Sequence, residues 1–433
     1  MSQTPLLLVS YSFPPSNAPA AQRAYAFAKY LPENQVQPVV LTTTANISSL
    51  GYGKSMDTSN MTLLDTAKNA NRAAEVETPK ATSKQLVKNS LLKKIIGQFL
   101  IPDRGIIWLP AALKAGSAYL KAHPEVEWIF ATAPSFTNLV IAIMLGKRHK
   151  RKVITDFRDF YVMKGLFKRA FPLFYIDRFL ERWIIKNSAH VIFISKSMKA
   201  AYESAYPVLK QKSTLIYNGF DEIEYTAFQQ TTAVDANLPK VRIFFAGSLY
   251  FESTHPRNIF DLLNGLQALV EANEIDRNEL EIKLAAFIHP NLMEQLNTHT
   301  LFDKVKLLGV IKREEVFVEM QKSNLLWHML GDSEQDRSAI PIKTFEYMAS
   351  GKKVVFFVPK GAELEEIIQA YELGFTCYLG NQYQQTNTRA IKAAYDYCCA
   401  GAATNGSVLK SDRFKKFKRD YQAEQLAELI KKA

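Results

Sequence analysis

A chain of 433 residues with a formal net charge of +12 is too long for one ordinary hydrophobic core, so two or three domains are expected. Hydrophobic residues make up 47% and charged residues 22%, a soluble globular balance, and no apolar run approaches the roughly 18 residues that span a bilayer. Cys377, Cys398 and Cys399 supply neither a disulfide framework nor a spaced metal pair, so no metal site is expected. The N-terminus has no basic region and too short an apolar run for a signal peptide, so a cytoplasmic protein is expected. The positive charge favours nucleic acid, an acidic membrane surface or phosphorylated small molecules. No helix-turn-helix, zinc-finger or RNP signature accompanies it, so nucleic acid is not expected as a partner.

Residues 6–10 predict a first β-strand. It runs through Tyr11-Ser-Phe-Pro-Pro-Ser-Asn-Ala-Pro-Ala-Ala-Gln-Arg23 into a helical pattern over 24–31, and residues 36–43 predict the next strand. This βαβ opening carries a Pro-rich loop at the strand's carboxyl end, a usual ligand position in α/β sheets. Arg23 near the helix start either meets a phosphate or carboxylate or packs along the helix surface. Residues 45–82 are polar and aperiodic, which predicts an inserted loop. Residues 83–97 interleave Leu86, Leu91, Leu92, Ile95 and Ile96 with Lys84, Lys88, Lys93 and Lys94. That pattern fits an amphipathic helix resting on anionic lipid, or a core-facing helix with a basic outer face.

Residues 128–132 predict a strand, and Ser135 and Thr137 are candidate N-caps of the apolar helix that follows. A strand over 153–155 ends in Asp156-Phe-Arg-Asp159. Either acid is a candidate base or hydroxyl acceptor, and Arg158 is a candidate ion-pair partner for one of them. Residues 163–186 are rich in basic and aromatic side chains, a second candidate for contact with lipid or a core-packed helix with a basic face. Strands follow over 190–195 and 213–217, and Asn218-Gly219 is a turn signal that ends the first domain.

After a polar linker over 221–239, a strand over 241–246 carries Gly247-Ser248 at its carboxyl end, followed by His255, Arg257 and a helix over 258–272. Strands over 280–287 and 305–308 and a helix over 314–322 come next. A strand over 324–330 then leads through a polar loop, 331–340, to a short helix begun by Pro341 and stopped by Gly351, and to a strand over 354–358. Glu346 is the one acid on that helix. It is either an exposed helix acid or a carboxylate aimed at a diol such as a ribose. A further helix starts at Glu363, Glu365 and Glu366, a strand spans 375–379, and a final helix covers 421–432.

Several landmarks fall in one order: Phe13-Pro-Pro with Arg23 and Leu31, Asp156-Phe-Arg-Asp159, Ile192-Phe-Ile-Ser195, Ile216-Tyr-Asn-Gly-Phe-Asp221, Phe245-Ala-Gly-Ser-Leu249, Leu308-Gly309, and Pro341-Ile-Lys-Thr-Phe-Glu-Tyr-Met-Ala-Ser-Gly351. Over nearly the whole chain this series resembles the family 4 glycosyltransferases of the GT-B fold, of the bacterial surface-polysaccharide or lipopolysaccharide type. The resemblance implies an α/β protein with two doubly wound Rossmann-like domains facing a cleft. The acceptor-side domain would cover 1–222, the nucleotide-sugar domain 223–410, and a C-terminal segment, 411–433, would pack back on the first. It further implies a retaining, metal-independent transferase that moves a sugar from a nucleotide-sugar donor to a glycan or lipid-linked acceptor, peripheral on the inner face of the cytoplasmic membrane. The nucleotide-sugar is a substrate, so no cofactor is implied.

By the same resemblance Glu346 accepts hydrogen bonds from the donor ribose, and Lys343 faces the diphosphate as a catalytic cation. Gly247, Ser248 and Arg257 approach the phosphates, and Ser338 stands in the donor-sugar position. Asp159 is the candidate catalytic acid, with Asp332, Glu334 and Asp336 as alternatives to compensate for the family residues missing here, and Asn17, Arg23, Ser135 and Asp156 are the candidates on the acceptor side. The chain departs from the family pattern at Ser338, where a second Glu is usual, and at Asn17-Ala-Pro19, which replaces a glycine pair. No basic pair follows Gly247 closely, and no histidine stands beside residues 130–137. Those departures keep two other readings open: a sugar-nucleotide epimerase, and a non-catalytic nucleotide-sugar-binding scaffold.

Overall fold

The computed structural model describes residues 3–14, 16, 19–43, 61–66, 99–163, 169, 171–229, 239–249, 259–401 and 411–432. The predicted helix over 83–97, Asn17, Arg257 and most of the predicted loop over 45–82 lie outside them. The chain divides into two compact units, one of Met1–Asn218 with Arg419–Ala433 and one of Gly219–Lys418.

The first unit is built on β1 (Thr4–Val9), α1 (Pro19–Tyr30), β2 (Val36–Thr42), β3 (Thr62–Asp65), α2 (Leu109–Ala122), β4 (Trp128–Thr132), α3 (Phe136–His149), β5 (Lys152–Phe157), α4 (Leu173–Asn187), β6 (His190–Phe193), α5 (Lys196–Ala205) and β7 (Ser213–Leu215). The strands form one seven-stranded sheet in the order β3-β2-β1-β4-β5-β6-β7, with every pairing parallel. A parallel sheet is covered on both faces, so its strands read as continuous apolar runs. In β1, Leu6, Leu7, Leu8 and Val9 are all fully buried. Strand alternation sends Leu7 and Val9 into one core, with Phe136, Ile141 and Phe157, and Leu6 and Leu8 into the other, with Phe27, Phe130 and Ile154. β3 corrects the expectation of an unbroken loop over 45–82. It is a four-residue, half-exposed edge strand paired to β2 from Val39↔Thr62 onward, too short and polar to show a period of two.

The second unit contains α6 (Glu222–Gln229), β8 (Val241–Leu249), α7 (Phe260–Glu271), β9 (Leu280–Ile288), α8 (Pro290–Asn297), β10 (Val305–Leu307), α9 (Arg313–Lys322), β11 (Leu325–Met329), α10 (Glu334–Ser338), α11 (Ile342–Ser350), β12 (Lys353–Val358), α12 (Glu363–Tyr371), β13 (Gly374–Tyr378) and α13 (Gln384–Cys399). Its six strands are again all parallel, in the order β10-β9-β8-β11-β12-β13. α14 (Arg419–Lys432) then returns to the first unit, where Ala423, Leu426, Ala427 and Ile430 enter the core that holds Phe27 of α1.

In each sheet the strand order reverses direction once, between β1 and β4 in the first unit and between β8 and β11 in the second. Ligands of open α/β sheets bind outside the carboxyl ends of the strands at such a reversal, where neighbouring connections run to opposite faces and leave a crevice.

Candidate functional site

At the reversal point of the second unit, the carboxyl end of β8 carries Ala246-Gly247-Ser248-Leu249, and α11 packs its first turns against that end. Both backbone groups of Ala246 are tied to α11: its N–H donates to the Tyr347 hydroxyl at 3.2 Å, and its carbonyl accepts from Lys343 Nζ at 3.0 Å. The Lys343 ammonium also lies over the Phe245 ring, 4.5 Å from its centroid. Gly247 makes this approach sterically open. Its φ is +153°, which side chains rarely adopt, and a Cβ there would lie 2.5 Å from Lys343 Nζ. Ser248, one residue on, is exposed. α11 itself is fixed from behind by Thr344, whose hydroxyl meets the buried His328 of β11 at 3.2 Å, and it stops at Gly351 with φ +69°. The sequence-predicted residues Gly247 and Lys343 are therefore in direct contact, next to the amide-bearing end of a nine-residue helix.

Glu346 sits one turn farther along and is partly buried. Its Oε1 accepts from Arg313 Nη1 at 2.6 Å. Arg313 in turn donates from Nε and Nη2 to the two carboxylate oxygens of Glu224, at 2.9 and 3.3 Å, and its guanidinium lies over the Phe317 ring. One cation thus joins α6, α9 and α11 and holds one oxygen of Glu346. Sequence reasoning missed Arg313, because nothing local distinguishes it from any other basic residue at a helix start.

Ser338 lies buried at the end of α10, its hydroxyl 3.4 Å from the Glu334 carbonyl of the preceding turn. The polar loop before α11 is internally tied: Arg337 pairs with Asp332, and the Ser333 hydroxyl caps α10 by accepting from the Asp336 N–H at 3.0 Å.

The corresponding end of the first sheet is organised differently. Arg23 of α1 forks onto Asp156 at the end of β5, with Nε to Oδ2 at 2.8 Å and Nη2 to Oδ1 at 3.0 Å. Its Nη1 and Nη2 also donate to the Tyr217 and Ile216 carbonyls at 2.6 and 3.0 Å. The Thr132 hydroxyl donates to Asp156 Oδ2 at 2.7 Å. Arg23 is 5% exposed and Asp156 is fully buried. The two residues expected on the acceptor side thus face each other inside the fold and tie α1, β4 and β5 to the segment after β7. Arg158 lies in the field of both neighbouring acids, Asp156 and Asp159. It donates to the Ala133 and Ala20 carbonyls at 2.5 and 3.2 Å, and burial lowers its pKa to about 10.

Ser135 is likewise engaged locally. Its hydroxyl donates to Asp103 Oδ1, which also accepts from the Thr137 hydroxyl at 2.9 Å and the Gly105 N–H at 2.8 Å. Asp103 therefore helps to cap α3, a role that the sequence reading gave to Ser135 and Thr137. Asp159 stands apart from these pairs. Just beyond the end of β5, it has no hydrogen-bond partner among the described residues, and burial raises its carboxyl pKa against the opposing charge of Arg158.

Residues 20–223 match the family model described as Glycosyltransferase Family 4. No curated protein matches the chain by sequence. Among solved structures the chain is similar to sucrose-phosphate synthase from Thermosynechococcus elongatus, with a TM-score of 0.62 at 14% identity over 99% of both chains. It is similar to the lipopolysaccharide outer core galactosyltransferase WaaB in its apo form, with a TM-score of 0.57 at 10% identity over 99% of both chains. It is also similar to HepE of Anabaena in complex with UDP, with a TM-score of 0.54 at 14% identity over the whole of both chains. At these identities the likeness speaks for the fold, two Rossmann-like domains in one chain. The chain adopts the GT-B fold, and its residues 20–223 are similar to glycosyltransferase family 4.

Proposed function

We propose that the protein transfers a sugar from a nucleotide-sugar donor to a glycan or lipid-linked acceptor of a cell-surface polysaccharide, on the cytoplasmic side of the membrane, with retention of configuration and without a metal. One observation carries the reading: at the reversal point of the second sheet, Lys343 and Glu346 lie along the first two turns of α11, with Gly247 of β8 against the Lys343 ammonium. A diphosphate leaving group gains negative charge as the glycosidic bond breaks, and a cation beside a helix N-terminus is suited to stabilise that charge. Lys343 takes that role, with the backbone at Gly247 and Ser248 near the phosphates. Glu346 accepts from the ribose hydroxyls, and Asp159 is the carboxylate suited to accept from the acceptor hydroxyl. Arg23, Asp156 and Ser135 act on the acceptor side only through the scaffold they hold. The structural relatives lend support: one is named as a lipopolysaccharide galactosyltransferase and another is in complex with UDP.

The test is a panel of UDP-, GDP- and TDP-sugars, followed by thermal shift and by product analysis with and without acceptor. Transfer to acceptor supports the proposal. A changed donor sugar without transfer marks an epimerase, and binding without turnover marks a scaffold. If no sugar nucleotide raises the melting temperature, the donor site is wrong.

A further inference from the structure

Helix α4 has its polarity turned inside out. Its two acids, Asp177 and Glu181, are each 1% exposed and face the core. Asp177 accepts from the Tyr161 hydroxyl and from Arg169 Nε, both at 2.5 Å. Glu181 accepts from the Val162 N–H and from the Tyr202 and Tyr206 hydroxyls at 2.9–3.0 Å. Ile184 and Ile185 complete the inward face. The outward face carries Tyr175, Ile176 and Phe179, with Phe171 just before the helix. These side chains are 60%, 45%, 65% and 83% exposed, respectively. Arg178, Arg182 and Lys186 are exposed on the same side. Residues 171, 175 and 179 recur at i and i+4, and 178, 182 and 186 repeat that spacing beside them, so aromatic and basic side chains share one stripe.

Aromatic side chains of this size are normally buried, and a contiguous exposed patch of them marks an interaction surface. The kind of partner follows from charge. Both acids of the helix are removed into hydrogen-bonded burial, so the outward face of α4 presents cations and aromatics with no carboxylate of its own. Among the described residues no helix is long and apolar enough to cross a membrane, so a lipid contact here would be peripheral. We infer that the outward face of α4 docks on an anionic lipid bilayer, with Phe171, Tyr175 and Phe179 entering the interface and Arg178, Arg182 and Lys186 meeting the headgroups. The inference rests on the membrane-side location proposed above and not on the transfer chemistry.

The experiment is co-sedimentation of the full chain with vesicles of phosphatidylcholine alone and of phosphatidylcholine mixed with phosphatidylglycerol. Binding to the anionic vesicles only, weakened by salt, is expected. Replacing Arg178, Arg182 and Lys186 together by Gln should weaken partitioning on the order of a hundredfold, at roughly fivefold per basic residue. Tyr175→Ser with Phe179→Ser should weaken it further, with the thermal melt unchanged because these positions are exposed. A Phe179→Trp probe should shift its emission to the blue when anionic vesicles are added. Unchanged partitioning of the Gln and Ser variants, or no binding by the parent chain, overturns the inference. So does concentration-dependent self-association that the same variants abolish, which would make the face a contact between copies. Sugar-nucleotide binding is read separately, so a loss of membrane binding leaves the donor site untouched.

Discussion

The two sheets reverse strand order in the same way, yet the charges at their carboxyl ends serve opposite purposes. In the first unit Arg23 and Asp156 meet at 2.8 Å in the interior, with carbonyls and a threonine completing the set. In the second, Lys343 and Glu346 are only partly buried, and one oxygen of Glu346 is held by an arginine shared with another acid. A fully paired buried network resists change, because removing one partner strands the other charge in low dielectric. A partly exposed set keeps its charges at a surface where a ligand can reach them. Equivalent topology therefore says where a site can form, and the degree of desolvation says which charges a ligand can reach.

The largest expected effect breaks the first side of this comparison. Asp156→Ala leaves Arg23 buried without its counter-ion and should cost about 3–5 kcal/mol in thermal or denaturant unfolding; a neutral result would show that the pair is solvated. Glu346→Ala attacks the other side. Sugar-nucleotide affinity should fall at least about tenfold, as expected for losing hydrogen bonds to a charged group, while the ligand-free melt moves less than with Asp156→Ala. Unchanged affinity removes Glu346 from the site.

Smaller changes sharpen the picture. Gly247→Ala puts a methyl group 2.5 Å from Lys343 Nζ, and kcat/KM should fall severalfold, about 1 kcal/mol, with the fold intact. Arg313→Met should weaken nucleotide binding a few-fold and reduce the preference for ribo- over 2′,3′-dideoxynucleotides. A gain in affinity would instead show Arg313 competing with the ribose for Glu346. The smallest effects lie in the pH dependence of stability. Burial and the nearby Arg242 lower Lys352 to about 8, so its contribution is present above the ordinary lysine value of 10.5 and lost as pH falls through about 8. Lys352→Met should therefore gain on the parent chain as pH is lowered across that window. Asp159 is raised by burial, so its contribution is present below 3.8 and lost as pH rises through the raised value. Asp159→Asn should gain on the parent with rising pH. Parallel melting curves for either pair would contradict the assigned cause.

The sheets were legible in the sequence because parallel strands are hidden on both faces, which leaves unbroken runs such as 128–132 and 354–358. β3 was not, since an edge strand of four half-exposed residues has no such signature. α13 opens on Gln384-Gln-Thr-Asn-Thr and shows its apolar stripe only later, at Ile391, Ala394, Tyr395 and Cys398. Gly247, Lys343 and Glu346 could be picked out because two short motifs place them at a strand end and a helix start. Arg313 stayed hidden because its partners lie 33 and 89 positions away, and Arg23 was assigned an outward role because Asp156 is 133 positions distant. Such pairings are written by the fold and have no local spacing to betray them.

The return of α14 to the first unit has a consequence for synthesis. The second unit, Gly219–Lys418, is threaded between two segments of the first, so the partner that α1 packs against leaves the ribosome only after the whole second unit. Until Ala423, Leu426, Ala427 and Ile430 emerge, the nascent first sheet presents an apolar face along α1, and the Arg419–Gln22 hydrogen bond of 2.8 Å is unmade. A chain stalled or clipped within α14 would hold a complete second unit beside a first unit with an open core, a species destined for chaperones or aggregation rather than for partial activity.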